Sequence, residues 1–196
     1  MPRPTPSCLL TAATLTAVAV ALGGCYGYSS WPPVEGNTAI NDVNFTPTPV
    51  VMAVAMKFVA DRYPPVPDPM PGQVYDVPFT ISLPPGASVH TYYHVVESAG
   101  PAAHPLIEGQ PELPLYTVAG VNVRGTSATV DIIRPVVGVG GKAIDKTLYQ
   151  GVTVYLSSGV SPWHVTFHRT MPIGMMEVPP PNPLPAGAAK PYSSAP

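Results

Sequence analysis

Hydrophobic residues cluster along the chain in blocks of different period. From Val50 to Phe58 they nearly surround a helix: Val50, Val51, Met52, Val54, Met56 and Phe58. Thr48 can serve as cap, Pro49 suits the first helical position and Pro64-Pro65 stop the run, so the pattern predicts a helix over Thr48–Tyr63, buried on most sides. Between Ser88 and Gly100 composition and period disagree. Val, Thr and Tyr favour a strand, whereas Val89, Tyr92, Tyr93 and Val96 fall at i, i+3, i+4 and i+7, the helical spacing. Ser88 as a start cap and Gly100 as a stop decide for a helix.

The remaining blocks read as strands. Val77 to Leu83 alternates, with Pro78 suggesting a sheet edge. Leu115–Arg124 and Ala128–Val136 flank the turn signal Gly125-Thr126-Ser127, and Gln150–Ser157 and Trp163–Met171 flank residues 158–162. Both pairs read as hairpins. In the last strand Trp163, Val165 and Phe167 alternate with His164, Thr166 and His168, which predicts one buried face and one wet face. The expected fold class is therefore α+β: an antiparallel β-meander of about four to five strands covered by one or two helices, over residues 46–176. Residues 25–45, polar and without period, read as a flexible tether. Residues 177–196 hold seven prolines and read as an extended or disordered tail. The stretch from Pro64 to Gly72 reads as a stiff, polyproline-like connector.

Composition narrows the function more than it defines it. Charged residues make up 10% of the chain and the formal net charge is -2, so no basic surplus exists to neutralise phosphates, and nucleic acid is excluded as a partner. Gly138 to Ala143 superficially suggests a phosphate loop. Val136 and Ala143 stand where a Walker loop needs Gly and Ser/Thr, so the segment reads as a plain connection. No G-x-S-x-G elbow offers a nucleophile. Asp131 and Arg134, close in one strand, read as an ion pair rather than catalytic groups.

Two histidine constellations invite metal. On a helix His90, His94 and Glu97 share one face, and two imidazoles one turn apart can chelate zinc. Thr91 occupies the place of the general-base glutamate in the zinc-protease motif, so protease activity does not follow; the plain reading is a solvated polar face. His164 and His168 would lie about 13 Å apart on one strand face, too far to share an ion.

The start of the chain is more informative. Arg3 is followed by an uncharged run from Cys8 to Leu22, which as a helix reaches about 23 Å, short of a hydrocarbon core of about 30 Å. A basic start and a short apolar run mark a secretory signal. Leu22-Gly23-Gly24-Cys25, which closes it, resembles the lipobox of bacterial lipoproteins; Gly23 departs mildly from the Ala or Ser common at that place in the family. An ordinary secretory signal with an incidental cysteine is the alternative. The resemblance implies cleavage of residues 1–24, a diacylglyceryl group on the Cys25 thiol and acylation of the new amino terminus. It also implies an envelope location. With Tyr26 rather than Asp after the cysteine, that is the outer membrane, facing the periplasm or the surface, if the cell is Gram-negative. Removing the signal removes Cys8 and leaves Cys25 alone, so no internal disulfide is expected.

These features point to a membrane-anchored, non-enzymatic structural or interaction protein. Its partners would be the bilayer, through acylated Cys25, and envelope proteins or the cell wall; it would need no cofactor beyond the covalent lipid. The second reading is a small-molecule or metal-binding domain displayed on the membrane, with zinc as its metal, with or without enzymatic activity.

Overall fold

In a computed structural model of the chain, the described residues are 28–35, 40–66, 70, 73, 75–110, 113–137 and 148–188. Among them the fold is α+β: a mixed sheet of seven strands and two helices. The strands are β1 (Tyr28–Trp31), β2 (Phe79–Ser82), β3 (Ala103–Pro105), β4 (Leu115–Arg124), β5 (Ser127–Val136), β6 (Leu148–Ser157) and β7 (His164–Thr170). The helices are α1 (Thr48–Arg62) and α2 (Val89–Ala99).

The expected antiparallel meander exists as β4-β5-β6-β7, but it is only part of the sheet. Strand order is β3-β2-β4-β5-β6-β7, with β1 also on β4. β2 lies between β3 and β4 and is parallel to both, so the edge position suggested by Pro78 does not hold; that proline precedes the strand. β2, α2 and β3 form a crossover unit, because parallel neighbours cannot be joined by a tight hairpin and need a connection such as α2. β4 is shared along its outer edge. β2 takes Leu115–Thr117, and β1 runs antiparallel along Val121–Arg124. The β4–β5 register shifts between Val118 and Gly120, between those two pairings.

Both helices contribute to one core. α1 buries Val51, Met52, Ala55, Met56 and Val59 against Tyr116, Val118, Val130, Ile132, Val152 and Val154 of the sheet, and α2 adds Tyr92, Val95 and Val96. The near-encircling apolar pattern of α1 is thus used as expected, with Lys57 and Asp61 forming an exposed i,i+4 ion pair at 3.1 Å. Thr48 does not cap α1. It is the first helical residue, and its hydroxyl donates to Ser29 Oγ of β1 at 3.0 Å, joining the helix start to the strand.

α2 starts as the sequence predicts. Ser88 Oγ accepts from the Thr91 N–H at 3.1 Å. Asn44 Oδ1 accepts from Ser88 N–H at 2.7 Å and from the Thr91 hydroxyl at 2.8 Å, and Asn44 Nδ2 donates to Gly86 O. Replacing a serine cap by alanine costs about 1 kcal/mol. Ser88→Ala is accordingly expected to lower the urea-unfolding free energy by about that amount, and an unchanged denaturation midpoint would exclude the capping role.

Two segments expected to stand apart from the domain belong to it. Within the presumed tether, β1 pairs with β4, Ser29 and Ser30 are buried, Val43 is buried, and Ile40 bridges back to Ser29. β1 escaped notice because a four-residue strand of Tyr, Ser and Trp has no readable period. Within the presumed tail, residues 177–188 are extended, as proline dictates, yet docked. Leu184 is only 4% exposed and pairs with Ile107. Proline removes donors but leaves every carbonyl as an acceptor.

The last strand departs from simple alternation. β6 pairs Tyr155 with Phe167 and Leu156 with Val165, leaving Thr166 as an extra residue. Such a bulge reverses which face the following residues occupy. Phe167, expected inside, is 60% exposed and stacks on Tyr155, while His168, expected outside, turns to the helix side and meets Phe58 and Tyr63.

Candidate functional site

The most elaborate polar cluster lies where α1 ends over the sheet. Arg134 of β5 stands opposite Gln150 of β6, and its Nε and Nη2 both donate to Gln150 Oε1, at 3.2 and 2.6 Å. The Gln150 amide in turn donates to Met171 O at 2.9 Å. The guanidinium sits 4.6 Å from the centre of the Tyr63 ring, a cation–π distance. The Tyr116 hydroxyl donates to Tyr63 O at 2.6 Å, satisfying a carbonyl just beyond the helix end. His168 packs on Phe58 at 5.0 Å and on Tyr63 at 6.1 Å.

Burial sets the electrostatics here. Desolvation pushes the Tyr116 phenol well above its usual range and lowers Arg134, each partly offset by the other's charge. A cation near the negative end of a helix is favourable. The arrangement clamps the α1 terminus to the sheet through ring, cation and hydroxyl; its members carry no nucleophile paired with a base.

A second feature is concave. A groove of about 580 Å³ opens beside the start of β4, lined by Leu106, Ile107, Leu115, Tyr149, Pro181 and Pro183, with Glu108 and Gln110 among its polar members. Its size and apolar lining fall in the range of small-ligand sites. Two of its lining residues, Pro181 and Pro183, come from the proline-rich segment.

The candidates from the sequence fare differently. Cys25 and Gly138–Ala143 lie outside the described residues. His90, His94 and Glu97 do sit along one face of α2, with His90 and Glu97 exposed and His94 half-buried. Among the described residues, however, no group of three His, Cys, Asp or Glu side chains comes together as a metal would require. His164 and His168 do not share a face, because the Thr166 bulge lies between them. Asp131 and Arg134 are not a pair either. Three positions apart on a strand they point to opposite faces, and Asp131 instead accepts from the Thr153 hydroxyl at 2.6 Å. The Arg134 cluster was not legible in sequence, since its members come from five separate elements or their flanks: α1, β4, β5, β6 and β7.

Comparison of the chain with protein-family models, with curated proteins and with solved structures finds no match. Among the described residues no helix is long and apolar enough to cross a membrane.

Proposed function

We propose that the chain is a bacterial envelope lipoprotein whose mature part is a non-enzymatic interaction module held at a bilayer by acylated Cys25. The observation that carries this reading is Leu22-Gly23-Gly24-Cys25 closing a short apolar run after a basic start. One acyl chain holds a protein only marginally, whereas two or three hold it firmly, so processing at Cys25 makes the anchor stable. The weakly charged surface suits contact with envelope proteins or the cell wall rather than with nucleic acid. With Tyr26 after the cysteine, the outer membrane is the destination in a Gram-negative cell.

Intact mass of the protein extracted from membranes tests this directly. The expected species lacks residues 1–24 and carries a diacylglyceryl group on Cys25 together with an acylated amino terminus. A bare Cys25 thiol sinks the reading.

The groove beside β4 favours the second reading, a small-molecule-binding module on the same anchor. It would take an elongated apolar ligand with a hydrogen-bonding end for Gln110. Zinc at His90, His94 and Glu97 remains the metal version of this idea; stoichiometric zinc in the purified protein, lost in His90→Ala, would establish it.

A further inference from the structure

Resting on the lipoprotein reading, we propose that the hairpin end of the sheet is a membrane-docking surface that lies flat on the phospholipid headgroups. The first argument is chain length. β1 begins at Tyr28, three residues after Cys25, and three residues reach about 11 Å at most. An acylated Cys25 sits at the interface, so there is no room for a stand-off tether and the start of β1 is held within roughly 11 Å of the headgroups.

The register then states which surface comes with it. Tyr28 pairs with Arg124, so the β4–β5 turn lies at the anchored end. The β6–β7 turn lies beside it, because Ser127 pairs with Ser157 and the Ser158 N–H donates to Thr126 O at 2.8 Å. Ile40 bridges Ser29, and Thr48, whose hydroxyl donates to Ser29 Oγ, donates its N–H to Phe45 O at 2.9 Å. The anchored end therefore comprises two hairpin turns, the Ile40 segment and the start of α1.

The chemistry of that end fits an interface. Val160 is fully exposed at the tip of the second turn, and Ile40 and Phe45 are 39% and 46% exposed. Across residues 122–129 and 156–164 the charged or titratable side chains are Arg124 and His164, both exposed, with no carboxylate. Among the described residues at this end, Asp42 is acidic and accepts two hydrogen bonds from Asn44, and Asp131 lines a concavity with Arg124 further along the sheet. Exposed apolar tips beside a cation match a surface of lipid phosphates over acyl chains. The groove, with Glu108, lies near the opposite ends of β4 and β5 and so faces away from the bilayer.

The test uses the full chain, processed in a bacterial host and reconstituted into phosphatidylethanolamine–phosphatidylglycerol vesicles. Val160→Cys and Gln110→Cys are each labelled with an environment-sensitive fluorophore, the native Cys25 being blocked by its lipid. The expected result is quenching of the 160 probe by doxyl-labelled lipid with loss of quenching by aqueous iodide, and the reverse for the 110 probe. If mass confirms acylated Cys25 but the 160 probe is as open to iodide as the 110 probe, docking is overturned while anchoring stands. If Cys25 is bare, both fall. Shielding of the 160 probe only when other envelope proteins are present would also overturn it, in favour of a protein partner.

Discussion

Unfolding of the protein is expected to become much easier above pH 10. Tyr92 and Tyr116 are both fully buried, and burial raises both phenols above the ordinary value near 10. For Tyr92 the desolvation outweighs hydrogen bonds involving Leu83, Ser82 and Asn182, which act the other way. A group whose folded value is raised keeps its proton in the native state while the unfolded chain releases it. The stabilisation is therefore complete below pH 10 and drains away as the pH climbs toward the folded values. Each such tyrosine removes roughly 1.4 kcal/mol per pH unit, about 2.7 for the two together. Arg134 opposes this only where an arginine gives up its proton, beyond the working range. Denaturant midpoints measured from pH 8 to 11 check the slope. Tyr116→Phe should start less stable, having lost the bond to Tyr63 O, but should show a distinctly flatter alkaline decline. An equally steep decline in the variant would mean that its phenol does not titrate with unfolding.

The second large effect concerns the proline-rich segment. A chain ending at Glu177 loses the strap that crosses β2 and β3. Asn182 N–H donates to Ser82 Oγ at 3.1 Å, Asn182 Nδ2 donates to Pro84 O, and Asn182 O accepts from the Tyr92 hydroxyl. Leu184 exchanges backbone bonds with Leu106 and Glu108, at 2.8 and 2.9 Å. Removing a buried leucine costs about 2–5 kcal/mol, and each buried polar partner left unsatisfied adds about 1–3. The freed chain regains entropy that offsets part of this. The net expectation is a loss of about 3–5 kcal/mol, which thermal or urea unfolding of the truncated chain would register. Leu184→Ala in the full chain should reproduce a sizeable part. Unchanged stability on truncation would mean that the strap merely rests on the domain.

Local periodicity determined a good deal of this protein. α1 and α2, the β4–β5 and β6–β7 hairpins and the α+β class are all legible, because each depends on residues within one turn or one strand of each other. The Ser88 cap is of that kind. Tertiary structure decided the rest. β1 and β3 are too short to carry a period and exist because β4 and β2 offer unpaired edges. The Thr166 bulge, invisible in a run of Val, Thr, Phe and His, turned His168 inward and Phe167 outward. Arg134, Gln150, Tyr63 and Tyr116 meet only because the end of α1 settles over neighbouring strands. The strap shows the same limit: proline content dictates an extended backbone, but whether that backbone is solvated or docked depends on Tyr92, Ser82 and Leu106, far away in sequence, whose unmet hydrogen bonds and apolar surface exist only once the sheet has formed.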